Sequence, residues 1–226
     1  MTSRSARQRP RPAGVAVTLL ALAVLAASSL SCGGRAARER TWEDDPIVPG
    51  FSLAEVNIGD PFSAAQAVHG EPDDHRKDGG YHFAYYGRLK PEGRIDDPAA
   101  WHLVVTTYDN GNGYLDGDDE IGAVEVSAPY TGKTSGGVGI GSGAEEVEAE
   151  FGPCQSVTPS QGNKGEELEI YSYTQRGVDF LLSRREGVIT VMVTAYGGLR
   201  AVEDTDGGGE AQGGLFGDYQ NAPIVP

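Results

Sequence analysis

Val56-Asn57-Ile58-Gly59-Asp60 through His69-Gly70-Glu71-Pro72 lines up without gaps on Val138-Gly139-Ile140-Gly141-Ser142 through Phe151-Gly152-Pro153-Cys154, at a constant offset of 82 residues. Such an internal repeat constrains the fold more than any single residue, because each copy must be one supersecondary unit. Each copy opens on V-x-I-G followed by Asp60 or Ser142, residue types that cap helix N-termini. About ten residues later a glycine, Gly70 or Gly152, and a nearby proline predict the end of a short helix. In the second copy Val147 and Phe151 stand at i and i+4 while Glu145, Glu146, Glu148 and Glu150 take mainly the other faces, so one stripe is expected to be buried.

After each helix the hydrophobic period falls from 3.6 to 2. Residues 81–86, 101–108 and 121–126 read as strands of the first copy, and 168–173, 177–182 and 188–193 as those of the second. Short polar turns such as Arg184-Arg185-Glu186-Gly187 imply antiparallel meanders with a helix laid on one face. The expected class is α+β. Two tandem repeats, residues 51–130 and 131–198, are each a short helix packed on a three- to four-stranded antiparallel meander.

The glycine-led helix closing in Gly and Pro, then Y-x-Y, a short apolar strand and a V-x-V strand, resembles the repeat of β-lactamase-inhibitor-protein-like domains and of small outer-membrane lipoproteins of the SmpA/OmlA type. The resemblance runs from Val56 to about Tyr196 and rests on turn glycines and core positions. It implies a protein-binding module of the cell envelope whose concave sheet surface is the contact face, with the partner unspecified. The first copy departs from the minimal repeat by an insertion from Gly87 to Ala100 and an extended loop from Asp109 to Glu120.

Outside the repeats, residues 1–32 read as a lipoprotein signal peptide. Arg4, Arg7, Arg9 and Arg11 precede an apolar run from Ala13 through Ala27, too short for a comfortable membrane span, and Ser31-Cys32-Gly33 supplies small residues around a lipidation candidate, Cys32. The lipobox is imperfect, with Leu30 two positions upstream of Cys32 and Ser29 in the aliphatic slot; ordinary cleavage nearby is the alternative. Residues 33–50 read as a flexible tether and 199–226 as a disordered, acidic, Gly-rich tail. Four of the 18 basic residues and none of the 33 acids fall in the signal, leaving 14 against 33, a charge of −19 on the mature chain. That acidity argues against nucleic-acid partners. The expected location is the envelope, anchored to the outer membrane and facing the periplasm or the cell surface.

Two sets of residues carry the functional expectations. Asn110, Asn112, Asp116 and Asp119 fall at the third, fifth, ninth and twelfth places of an EF-hand-type loop, where alternating Asp/Asn and glycine let oxygens converge on a hard cation. Tyr108 occupies the first place, with Asp109 one position late, so a solvated hairpin loop is the competing reading. Tyr85, Tyr86, Tyr171 and Tyr173, if outward on the sheet, would form a recognition surface. Gly132-Lys133-Thr134 fails as a phosphate loop, because Ser127 stands where a glycine is required. Asp73-Asp74-His75 and Asp96-Asp97 read as surface loops, and Cys154 as a half-buried small residue. The favoured function is a noncatalytic lipoprotein, held to the membrane by its lipid anchor and binding an envelope or extracellular protein. The alternative is a calcium-responsive structural or adhesion module; no other cofactor is expected.

Overall fold

The computed structural model describes residues 41–89, 100–161 and 166–202. The expected signal (residues 1–32) with Cys32, residues 33–40, most of the Gly87–Ala100 insertion including Asp96-Asp97, and the residues beyond Val202 lie outside the described residues. Ten strands and two helices follow in chain order. They are β1 (Ser52–Leu53), β2 (Val56–Asn57), α1 (Phe62–His69), β3 (Asp74–Asp78), β4 (Tyr81–Arg88), β5 (Trp101–Tyr108) and β6 (Glu120–Ser127). Then come α2 (Ala144–Phe151), β7 (Ser156–Gln161), β8 (Glu167–Tyr173), β9 (Val178–Ser183) and β10 (Gly187–Thr194).

Strands β3 to β10 form one eight-stranded sheet in the order β3-β4-β5-β6-β10-β9-β8-β7, antiparallel throughout. The two meanders meet where their last strands pair, from Thr190↔Ser127 to Thr194↔Ala123. The class is thus mixed α+β, dominated by this sheet, with two helices. Each meander carries a fourth strand beyond the three read from hydrophobic period. β3 and β7, Asp-His-Arg-Lys-Asp and Ser-Val-Thr-Pro-Ser-Gln, lack the apolar alternation that signals a strand. They are edge strands with one neighbour each, so Asp74 and His75 belong to a strand and not to the expected loop.

Helix packing follows the expected stripe. Ala65 on α1 and Val147 on α2 are fully buried, and Phe62 and Phe151 join the same core as Leu103, Val105, Val124, Val126, Phe180, Val191 and Val193. Phe180 anchors the second half, its ring 5.3 Å from Phe151 and 6.1 Å from Tyr173. The opposite face of the sheet is also buried, with Ala123, Leu168, Ile170, Leu181 and Met192 in one cluster and Tyr85, Trp101 and Val104 in another. The segment after β10 reaches that face. Arg200 lies 3.8 Å from the Tyr108 ring centroid, and its carbonyl accepts from the Tyr81 hydroxyl at 2.6 Å.

Corresponding points of the two halves share backbone geometry. Gly59 N–H donates to Ile121 O (2.8 Å) and Ile121 N–H to Asp60 O (2.9 Å); Gly141 donates to Val188 and Val188 to Ser142, both at 2.8 Å. Gly59 and Gly141 have φ of 89° and 88°. Gly70 and Gly152 end their helices at φ 81° and 82°, donating to Gln66 O and Glu148 O. The expected N-caps are corrected by one residue, to Pro61 and Gly143. The Asp60 carboxylate instead accepts from Asn57 Nδ2 and the Ser142 hydroxyl from Gly139 N–H, which closes the V-x-I-G turn rather than the helix.

The expected tether also ends sooner than residue 50. Residues 42–44 form a 3-10 turn, and Ile47 is 1% exposed within the core. Trp42 packs 4.5 Å from the His102 ring and 5.2 Å from His69. Leu199, expected to open the disordered tail, packs on the second cluster. Truncating Phe180 to Ala leaves a cavity between both helix-side rings and should cost about 3–5 kcal/mol, read as the shift in urea midpoint at unchanged slope.

Candidate functional site

The β5–β6 connection, residues 109–119, is the longest fully described connection between strands that are neighbours in both sequence and sheet, and its position follows from strand register. Tyr81↔Tyr108 and Lys77↔His82 bring β3 and β4 side chains under it. Lys77 Nζ sits 2.9 Å from Asp109 Oδ2, and His82 Nε2 is 3.8 Å from Asp109 Oδ1. His82 is 1% exposed, and neither ring nitrogen makes a hydrogen bond among the described residues.

Within the loop, carboxylates and amides form a closed set. Asp109 Oδ1 accepts from Gly111 N–H (2.9 Å) and Gly113 N–H (3.1 Å). Burial pushes the Asp109 carboxyl up, but the bond from Lys77 and the two glycine amides outweigh it and hold it at about 2. Asp119, fully buried, accepts from Asn110 N–H (3.3 Å) and Asp116 N–H (3.0 Å). Its carboxyl is raised by burial, with the neighbouring Asp116 charge acting in the same direction. Asp116 is lowered by the Asp118 amide and by Asn112.

Three of the four expected calcium ligands come together. Asn110 Nδ2 lies 3.2 Å from Asp116 Oδ2, and Asn112 Nδ2 donates to the same oxygen. Asp119 faces backbone amides on the inner side of the loop. Among the described residues, no group of three or more His, Cys, Asp or Glu side chains is arranged to hold a metal ion. A cation here would depend on the asparagine carbonyls turning towards Asp116.

The loop also caps a helix. Phe62 N–H donates to Asp119 O (2.8 Å) and Ser63 N–H to Gly117 O (2.9 Å), satisfying first-turn amides that have no partner within α1. Sequence reasoning missed this role because backbone carbonyls carry no residue signature. Lys77 and His82 were missed because nothing short of the strand register places them at the loop.

The expected tyrosine surface is corrected by burial. Tyr85 and Tyr86 are 3% and 7% exposed and Tyr173 is 2% exposed, whereas Tyr171 is half-buried. Tyr85 packs on Trp101 on the face away from the helices, and Tyr173 on Phe151 on the helix side. Cys154 is partly buried, its thiol directed at Ser156 O and Ser172 O.

No family model matches this sequence, and no curated protein does. Among solved structures, a crystal structure of a DUF4309 family protein, YjgB, from Bacillus subtilis is similar at 13% identity over 60% of this chain and 78% of that one, with a TM-score of 0.32. A likeness at that level carries no argument here.

The Asp109 carboxyl, held below its unfolded value, contributes stability that is complete above about pH 4 and is lost as pH falls towards about 2. Asp109→Asn should therefore lower stability at pH 7 by about 1 kcal/mol, after allowance for solvent screening. The gap to the parent should close as acid titrates the parent, which thermal melts from pH 7 to pH 2 would read.

Proposed function

We propose that this chain is a noncatalytic, envelope-anchored lipoprotein whose domain is a duplicated helix-plus-four-strand unit acting as a protein-binding module. The Arg-led apolar signal ending at Cys32 supports export and anchoring. The recurring hydrogen bonds at Gly59 and Gly141, with their near-equal φ, support duplication, as does the placing of β6 and β10 as the last strand of each half.

The observation that carries the binding reading is Tyr114. It is 77% exposed, more than any other large hydrophobic side chain among the described residues. It also stands at the tip of a loop held by internal hydrogen bonds, where Asn112 Oδ1 accepts from its own N–H at 2.7 Å. A tyrosine presented on an ordered loop supplies contact area at little entropic cost on binding. Tyr114→Ala, with an unchanged melting temperature, should lose at least about tenfold in affinity for a partner captured reproducibly from envelope extract, a loss of about 1.4 kcal/mol. Equal affinity of the two proteins would remove the loop tip from the interface.

A second reading concerns the same loop. The EF-hand-like spacing of Asn110, Asn112 and Asp116 supports a weak calcium site of the millimolar class, reached by turning both amide oxygens towards the cation. With a Kd of about 1 mM, 10 mM calcium would stabilise the fold by about 1.4 kcal/mol, a rise of about 3–6 °C that Asp116→Ala abolishes. A melting curve indifferent to calcium ends this reading.

A further inference from the structure

Both helices lie on one face of the main sheet. The other face is buried just as deeply, with Leu181 at 0%, Met192 at 2%, Leu168 at 4% and Ile170 at 5% exposed. These side chains stand on β8, β9 and β10, and among the described residues Leu199 is the apolar side chain from outside the strands that packs on them. A buried core side chain touches about 6–12 other residues, and one leucine does not supply that cover. The chain after β10 is already laid across this face. Leu199 lies over Gly122 of β6, Arg200 stacks on Tyr108 of β5 and accepts at its carbonyl from Tyr81 of β4, and Val202 presses on Gly80. Neither glycine leaves room for a β-carbon. Residues 203–214 then read Glu-Asp-Thr-Asp-Gly-Gly-Gly-Glu-Ala-Gln-Gly-Gly, with no apolar side chain larger than Ala211. The stretch after them carries Leu215, Phe216, Tyr219, Ile224 and Val225.

We propose that residues 215–225 dock on the helix-free face of the sheet and cover Leu168, Ile170, Leu181 and Met192. The lengths agree. From Gly80, at the start of β4, to Leu181 and Met192 is three to four strand spacings across the sheet and about four residues along it, a span of about 20 Å. Twelve residues separate Val202 from Leu215, and a Gly-rich chain of that length has a root-mean-square reach of about 17–21 Å. A linker whose mean reach matches its span gives the tethered segment its highest effective concentration, so contacts of modest area suffice to hold it. The face is thereby closed by the chain itself, whether or not Cys32 carries a lipid.

A photoreactive side chain identifies what lies on the face. Ile189 packs at the edge of the Leu181 and Met192 cluster, and it is replaced by p-benzoylphenylalanine in the full chain, which is irradiated in native envelope fragments. The expected adduct lies within one chain and joins position 189 to residues 215–225, as read by mass spectrometry of the tryptic digest. An adduct to any other segment of the chain, an adduct of dimer mass to a second copy, an adduct to a different protein, or no adduct would overturn the proposal. Phe216→Asp, made separately in the full chain, covers the case in which the photoreactive variant does not fold. Loss of a docked ring should lower the melting temperature by about 3–8 °C. A melting temperature equal to that of the parent would overturn the docking.

Discussion

The pairing of β6 with β10 is the constraint on which the rest of the structure depends. Each meander alone would end in an open strand edge carrying buried apolar residues, Val124 and Val126 on one and Val191 and Val193 on the other. Joining the two edges closes both and places α1 and α2 over one shared core. Because β6 and β10 run antiparallel, the chain enters them from opposite ends of the sheet. The β5–β6 loop and the short β9–β10 turn therefore stand at opposite ends as well.

That separation explains how the first half can carry a long loop without disturbing the second. In the first half the loop supplies carbonyls to the amides at the start of α1. In the second half Glu146 reaches back to Gly143 N–H, and the β9–β10 turn is left short. The same physical problem, unpaired amides at a helix start, thus has two solutions in one chain. The solution in the first half makes the loop part of the fold, with its order tied to that of the helix.

Hydrophobic period located six of the eight strands of the main sheet, because those strands bury alternating or continuous apolar residues. It missed β3 and β7, which sit at the edges and bury little, so their residues were free to be charged or small. The glycine C-caps were legible, since only a residue without a β-carbon sits comfortably at those φ values. Tyrosine exposure was not. Alternation says which residues share a face, but not whether that face meets solvent, and here both faces of the central strands are buried. The loop's acidic and amide residues were read directly from spacing. Their lysine and histidine neighbours depended on pairing across two further strands.

The composition of the two outer strands reaches beyond the single molecule. At high local concentration, copies of the domain would collide sideways, and an eight-stranded sheet with plain edges could grow from one copy to the next. At one end the edge is Asp74-His75-Arg76-Lys77-Asp78, whose closely spaced charges an added strand would have to desolvate; at the other, Pro159 interrupts the row of amide donors. Crowding therefore brings copies of the domain into contact without offering them a strand to extend.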